Sequence, residues 1–246
     1  MTRDNAVLQQ FGITEREIDQ AISLVNIPEV DDADLYFEHS IADSVSLEEG
    51  IVKKASKHVS QGVGVRATAG EKTGYAYTDE ITLEQLKIAA KTAKYIARSP
   101  GNGTAIATSG RTPTPRSLYP VTTPATEIAT KEKVDLLEKI DAIARGYDPR
   151  IKNVMASFAT ENKMLMVASS EGWVVGDVQP LSRLQVTCIA ADNNVRQMGS
   201  FGGGGRGEFS FFFDENRFEQ YAKEAARQSI VNLNAVPAPA GMMDVV

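Results

Sequence analysis

The chain has 246 residues, of which 42% are hydrophobic and 24% charged, so it can bury a sizeable core and is not an intrinsically disordered chain. Its 26 basic and 32 acidic residues give a formal net charge of −6. No stripe of lysine and arginine stands out, which excludes the phosphate-neutralising surface that nucleic-acid-binding proteins need.

Cysteine usage and the lack of long apolar runs predict a cytoplasmic protein. Cys188 is the only cysteine, so the chain has no internal disulfide and no Cys-x-x-Cys pair for a thiolate zinc site. The N-terminus lacks the basic start and apolar segment of a signal peptide. No apolar run approaches the roughly 20 residues that a membrane-spanning helix requires.

The first part of the chain combines two capped helices with short alternating strands. Thr14 and Glu17 have the spacing of a capping box, which predicts a helix that ends before Pro28. Thr82 and Gln85 predict a second helix in the same way. Between the helices, period-two alternation predicts antiparallel strands at 34–38, 44–48, 63–67 and 74–78.

Five prolines between residues 99 and 130 block any regular helix, so this segment is predicted to be a long connector. Beyond it the same order of elements returns, with a helix over 131–145 and a final helix capped by Asp214. Strands are predicted near 154–160, 164–169, 183–190 and 196–201.

This repeated order predicts an α+β fold of two similar lobes, each an antiparallel sheet with flanking helices, joined by the Pro/Thr-rich connector. The predicted boundaries are 1–98 for the first lobe, 99–130 for the connector and 131–236 for the second lobe. Each lobe needs something to cover the other face of its sheet.

His39 and His58 are the two histidines that a metal site or a Ser-His-Asp triad could use. Neither has a second histidine four residues away, as a helical zinc motif requires. Both are interpreted as ordinary surface or strand-end residues. The acidic residues are scattered, so the sequence shows no carboxylate pair suited to acid and base catalysis.

A glycine-rich run at residues 199–207 permits three interpretations. Its backbone N–H groups could cradle a phosphate, although the Gly-Lys-Ser/Thr ending of a P-loop is missing. It could form a surface for a peptide or a partner, with Gly202, Gly203, Gly204 and Arg206 as contacts. It could also be a flexible or close-packed loop before the aromatic segment 209–213.

Gly62, Gly64 and Arg66 form a second unusual pattern, because glycine inside a strand loses entropy and side-chain packing. Tight internal packing or a bulge is one explanation. The other is a groove in which an extended peptide or a partner strand lies against the sheet. These three residues are therefore candidate peptide or partner contacts. The residues alone indicate a scaffold with no assigned catalytic or cofactor-binding side chain.

Six blocks of sequence follow one another along the chain from about residue 34 to its end: DLYFE at 34–38, QGVGVRA at 61–67, GEKTGYAY at 70–77, PLSRL at 180–184, GGGGR at 202–206 and VNLNAVPAPAG at 231–241. Together, and in this order, they resemble the metalloprotease subunits of the TldD/PmbA family. Each block is short, and the resemblance rests on all six.

The resemblance implies a zinc-dependent peptidase with His-Glu-x-x-x-His on its catalytic helix, which degrades or processes unfolded peptides together with a TldE/PmbA-like subunit. The 246 residues do not contain this motif. We therefore expect an N-terminal portion of such an enzyme, with 237–246 as the start of the catalytic domain. No zinc ligand is assigned to the chain, which is expected to bind no zinc and to cleave no peptide alone.

A second hypothesis belongs to a different class. The chain could be a standalone, non-catalytic binding or scaffold protein, either a partner-like subunit or the remnant of a disrupted gene. This hypothesis predicts a well-behaved monomer or oligomer with a closed core. Size-exclusion chromatography discriminates between the two, because a clean monomer counts against a missing partner domain.

Overall fold

The structure, a computed structural model, describes residues 9–98, 118–236 and 240–242. Most of the predicted connector, residues 99–117, lies outside the described residues, as do 237–239 and 243–246 of the predicted catalytic start. Residues 118–129 contain one short 3-10 helix, Ala125–Glu127. The main helices are α1 (Glu15–Val25), α2 (Leu83–Ala97), α3 (Thr130–Tyr147) and α4 (Arg217–Leu233).

Local capping sets the beginning of α1 and α2, as the sequence predicts. The backbone N–H of Glu17 donates to Oγ1 of Thr14 at 3.3 Å, and the backbone N–H of Thr14 donates to the Glu17 carboxylate at 2.9 Å. The backbone N–H of Gln85 donates to Oγ1 of Thr82 at 3.3 Å. Each pair satisfies N–H groups that the first helical turn leaves free. Both predicted helices are confirmed.

The predicted cap of the last helix is wrong. Asp214 lies in a separate 3-10 turn, Asp214–Asn216, and α4 begins only at Arg217. Glu215 and Asn216 have positive φ values of 52° and 54°, so the chain bends between Asp214 and the helix. A cap prediction assumes direct entry into the first turn, which this bend removes.

The strands form one antiparallel sheet in the order β3-β2-β1-β4-β5-β6, which confirms the predicted α+β class. β1 turns into β2 through Glu49 and Gly50, whose φ values of 54° and 69° are typical of a tight two-residue hairpin. The strands are β1 (Asp32–Glu48), β2 (Ile51–Ala69), β3 (Lys72–Thr78), β4 (Ile151–Ser169), β5 (Val174–Asp192) and β6 (Val195–Gly205).

The prediction of separate short strands is wrong at two places. Segments 34–38 and 44–48 belong to the single strand β1, and 154–160 and 164–169 belong to the single strand β4. Alternation of burial lapses in the middle of β1, over residues 40–44, although the strand continues. Since periodicity records burial and not pairing, it divides a continuous strand wherever the burial pattern changes.

The chain divides into two compact units whose segments alternate along the sequence. Unit 1 consists of residues 1–42, 57–122 and 161–180, and unit 2 of residues 43–56, 123–160 and 181–246. β1, β2, β4 and β5 each contribute one part to each unit. The contiguous boundaries taken from the sequence stay a prediction.

In unit 1, α1 and α2 supply helical side chains to a core shared with the strands. Ile18 of α1, Leu35 and Phe37 of β1, Val65 of β2 and Leu86 of α2 are all fully buried in this core. The β1 and β2 residues alternate between the core and the opposite face, as the pleat of a strand requires. The outer face therefore carries an independent set of side chains.

In unit 2, α3 and α4 supply the helical side chains of the core. Phe158 of β4 is fully buried and meets the rings of Phe209 and Phe212 edge to face, each at a centroid distance of 5.3 Å. Leu137 of α3 and Ala222 of α4 are also fully buried in this core. Each unit thus has its own apolar core, built from strands and two helices.

Candidate functional site

Gly62, Gly64 and Arg66 lie on β2 and face away from the core of unit 1. The residues that alternate with them, Val63 and Val65, are 2% and 0% exposed and belong to the core. Successive strand residues point to opposite faces, so the two glycines and the arginine share the outer face. The structure therefore brings these three candidate residues together in one row.

Three tyrosines surround the two glycines on the outer face. Tyr36 comes from β1, and Tyr75 and Tyr77 come from β3, with exposed fractions of 36%, 56% and 80%. A Cβ at Gly64 would lie 2.2 Å from Oη of Tyr75, so a larger residue would push this ring off the strand. At Gly62 a Cβ would lie 3.0 Å from the carbonyl oxygen of Thr78. Close approach of β3 explains both glycines.

These side chains line a surface groove of about 310 Å³. It lies where β3 leaves β2, because the pairing of the two strands reaches only to Val63 and Thr78. Asp79, the next residue of the chain, lines one side. The name tyrosine groove is used for the surface formed by Tyr36, Glu38, Gly62, Gly64, Tyr75 and Tyr77.

Glu38 is the charged centre of the tyrosine groove. Oη of Tyr36 donates a hydrogen bond of 2.7 Å to one carboxylate oxygen, and Nζ of Lys163 lies 3.3 Å from the other. Burial, followed by the hydrogen bond to Glu38, raises the pKa of Tyr36 to about 12. The phenol therefore stays protonated, and a hydrogen-bond donor, even at about pH 10, where a free tyrosine is half ionised.

Arg66 is held by two aspartates of β1. Its Nε donates to Oδ2 of Asp34 at 2.6 Å, a terminal nitrogen bonds the same oxygen, and that nitrogen lies 3.2 Å from Oδ2 of Asp32. The hydrogen bond to Asp34 is the largest cause that raises the pKa of the Arg66 guanidinium. Arg66 is thus committed to two carboxylates and joins β2 to β1 beside the groove.

The second candidate set, at the glycine-rich run, lies in unit 2 and forms the end of β6. Gly202, Gly203 and Gly204 pair with Gln185, Leu184 and Arg183 of β5. A Cβ at Gly204 would lie 1.9 Å from the carbonyl oxygen of Ser182, and one at Gly203 would lie 2.4 Å from Oη of Tyr221.

The run is therefore a closely packed strand and not the open loop that cradles a phosphate. Arg206 follows directly after β6 and is exposed. Gly62 and Gly202, with their respective neighbours, fall in different compact units. The two candidate sets therefore belong to different units.

The described residues do not fit a zinc ion. Zinc is held by about three or four His, Cys or carboxylate ligands. Within the described ranges, no group of three or more His, Cys, Asp and Glu side chains is placed to hold a metal. His58 is exposed on β2. His39 is 8% exposed within β1, so its interpretation as a surface or strand-end residue is wrong.

Cys188 is expected to be unreactive in the folded protein. It is fully buried in β5, and burial raises the pKa of its thiol to about 12, so the nucleophilic thiolate is suppressed. Iodoacetamide at about pH 8 should leave it unmodified in buffer and alkylate it completely in urea, as measured by intact mass. Equal alkylation rates in both conditions would contradict this burial.

The sequence indicated the glycines of the tyrosine groove but not its aromatic side chains. In DLYFE, Leu35 and Phe37 are the buried residues. Strand alternation alone therefore predicts that Tyr36 and Glu38 point to the outer face. Tyr75 and Tyr77 have the same alternating spacing on β3. The missing information was the register of the β2–β3 hairpin, which sets Tyr75 opposite Arg66 and Tyr77 opposite Gly64.

Two family models match most of the chain. Residues 33–97 match the model described as PmbA/TldA metallopeptidase domain 1, and residues 123–233 match the PmbA/TldA metallopeptidase central domain. The first match contains the whole tyrosine groove apart from its flanking Lys163, and the second contains the glycine-rich end of β6. None of the helices in the described ranges is long and apolar enough to cross a membrane.

Relatives agree with the family models. The chain is 35% identical over 246 residues to the Metalloprotease TldD homolog of Haemophilus influenzae, covering 98% of this chain and 51% of the relative. The Metalloprotease TldD homolog of Buchnera aphidicola subsp. Acyrthosiphon pisum is 33% identical over 247 residues, with the same coverage. The chain therefore spans about half the length of the curated relatives it matches.

A solved structure supports the fold. TldE from Thermococcus kodakarensis superposes with a TM-score of 0.67 at 18% sequence identity, covering 87% of this chain and 47% of that chain. At this identity the likeness concerns the backbone architecture. It agrees with the antiparallel sheet and flanking helices described above.

Proposed function

Because the chain belongs to the PmbA/TldD metallopeptidase family, we propose that it forms the N-terminal portion of a TldD-like zinc-dependent metalloprotease. In this proposal the enzyme degrades or processes unfolded peptides together with a TldE/PmbA-like subunit in the cytoplasm. The present residues shape the subunit and contact the peptide or the partner. The zinc ligands of the enzyme come from residues other than these 246.

The family match carries this proposal, and the donor set of the chain bears on which part of the enzyme the chain forms. A peptidase zinc needs about three protein ligands, an open position for water and a carboxylate that accepts the proton of that water. The chain has two histidines, of which His39 is buried in β1 and His58 is exposed on β2, and its one cysteine is buried in β5. These side chains do not form a ligand set, whereas the family assignment implies a metal in the longer relatives.

Candidate contact surfaces complete the proposal. The tyrosine groove on unit 1, with Gly62 and Gly64 in its floor and Arg66 beside it, exposes aromatic rings that no core requires. Exposed tyrosines are enriched at binding surfaces because each offers a rigid apolar ring and a polar tip. On unit 2, the β6 glycines 202–204 and Arg206 are a second proposed contact.

The purified 246-residue chain is expected to contain no stoichiometric zinc and to leave unfolded peptides intact. Elemental analysis after dialysis against zinc-containing and then zinc-free buffer measures the first, and mass spectrometry of a denatured casein digest measures the second. The full-length relative from Haemophilus influenzae, prepared identically with a PmbA/TldD-type partner subunit, serves as the positive control. One tightly held zinc per chain would overturn the proposal.

A standalone binding or scaffold protein is the second candidate function. The observation that favours it is that each compact unit has its own apolar core, with α1 and α2 in unit 1 and α3 and α4 in unit 2. Under this alternative the chain needs no catalytic partner domain. Size-exclusion chromatography with light scattering discriminates, because a closed scaffold gives one sharp species and an incomplete subunit associates through its uncovered surfaces.

A further inference from the structure

We propose that the tyrosine groove binds a lysine or arginine side chain carried by an extended peptide. The inference rests on the proposed function in one respect, namely that a peptide is the ligand. It adds the chemical class of the recognised side chain, for which Tyr36, Tyr75 and Tyr77 supply aromatic faces and Glu38 and Asp79 supply charge.

The charge of the groove favours a cation. Its lining contains two carboxylates, those of Glu38 and Asp79, and no lysine or arginine. The Asp79 carboxylate makes no hydrogen bond or ion pair within the described residues. Glu38 already has a partner at each oxygen, Lys163 at 3.3 Å and the Tyr36 hydroxyl at 2.7 Å, so Asp79 is the carboxylate of the groove that a further cation can pair with.

The aromatic rings favour the same ligand. Tyr77 is 80% exposed and Tyr75 is 56% exposed, on the outer face of a strand whose inner face is already packed. The face of a tyrosine ring attracts an ammonium or guanidinium group within about 6 Å of its centroid. A groove that combines three such rings with two carboxylates is complementary to a cationic side chain with an apolar stem.

The backbone beside the groove favours an extended ligand. β2 continues towards its N-terminus from Val63, where its pairing with β3 ends. Ser60, Gln61 and Gly62 therefore line the groove without a β3 neighbour in register. An added strand can pair with such an edge, with alternate side chains turned towards the sheet face that carries the tyrosines.

The volume of the groove is suited to one long side chain and the backbone on either side of it. The groove volume of about 310 Å³ lies at the lower end of the range of small-ligand pockets. Gly64 keeps this volume open, since a Cβ there would lie 2.2 Å from Oη of Tyr75 and displace the ring. Gly64, which the sequence singled out, thus leaves room for the Tyr75 ring beside the groove.

Four capped peptides of alternating threonine and glycine test the inference, with a central lysine, arginine, norleucine or glutamate. Amide chemical shifts of the ¹⁵N-labelled chain report binding. The lysine and arginine peptides should shift the amides of Gly62, Gly64 and Tyr77, with affinities about tenfold above those of the other two. Equal affinity for norleucine would overturn the proposal in favour of a purely apolar groove, and no binding by any peptide would overturn it altogether.

Matched variants locate the interaction. Tyr77→Ala and Asp79→Asn should each weaken lysine-peptide binding, and Tyr77 is exposed enough that its removal spares the fold. Tyr95→Ala on α2 is the control, because Tyr95 is 78% exposed in the same unit and lies outside the groove. Equal binding by Tyr77→Ala and wild type would contradict the proposal. The zinc and casein measurements on the unaltered chain test the proposed function without these variants, so failure of the groove and failure of the proposed function remain distinguishable.

Discussion

Replacing Lys133 by methionine is expected to lower the free energy of unfolding by about 3–5 kcal/mol. The side chain of Lys133, in the first turns of α3, is 1% exposed, and its Nζ donates to both carboxylate oxygens of Asp43 at 2.9 and 2.8 Å. The variant leaves the Asp43 carboxylate without its counter-charge in a site that is 12% exposed. Urea unfolding monitored by circular dichroism gives the change.

A neighbouring ion pair on the same helix provides the control for this prediction. Lys131 lies 2.7 Å from Asp135, but its side chain is 82% exposed. Lys131→Met should change stability little, because solvent screens an exposed pair. Adding Asp43→Leu to Lys133→Met should restore much of the loss, since two apolar groups replace a buried charge pair. Equal losses of stability in Lys131→Met and Lys133→Met would show that burial does not determine how much each ion pair contributes to the free energy of unfolding.

The buried pair also shows what helical periodicity predicts and where it misleads. Lys133 shares the inward face of α3 with Leu137, Ile140 and Ala144, which lie at helical spacing from it. Helical periodicity alone places Lys133 on the core side of α3, whereas its charge alone favours solvent. Its partner, Asp43, lies 90 residues earlier in the chain, and no local rule connects the two.

Local signals predicted local structure well. The Thr14 and Thr82 caps gave the beginnings of α1 and α2 because a cap involves residues within one helical turn. Local signals predicted less of the sheet, because its central strands β1 and β4 pair although they lie far apart in the sequence. β2 illustrates this, since residues 51–61 are exposed on both faces and carry no hydrophobic alternation, yet they belong to the strand.

The candidate site was predictable to the same extent. Gly62 and Gly64 stood out in the sequence because glycine is costly in a strand, and each proves to face a close neighbour. The identity of that neighbour, the Tyr75 ring in the case of Gly64, depends on the register between β2 and β3. Zinc chemistry entered only through the resemblance to a family, since the donor atoms of the chain do not indicate it.

The two units share one packing device, which supports the prediction of similar lobes. On the edge strand β3, a Cβ at Gly74 would lie 1.9 Å from the carbonyl oxygen of Ala93 in α2. On the opposite edge strand β6, a Cβ at Gly199 would lie 2.3 Å from the carbonyl oxygen of Ala225 in α4. In both units a glycine lets the helix backbone lie closer to the strand than any residue with a side chain would permit.

Gly74→Val and Gly199→Val are therefore expected to destabilise the protein by about 3 kcal/mol or more each. The obstructing atoms are helix backbone, which cannot rotate away as a side chain does, so α2 or α4 must shift as a whole. Thermal unfolding measures the loss. Gly146→Ala is the control, since no atom lies within 4 Å of its added Cβ and alanine favours the helix. If Gly199→Val were as stable as this control, the close approach of α4 to β6 would be disproved. The same comparison for Gly74→Val independently tests the approach of α2 to β3.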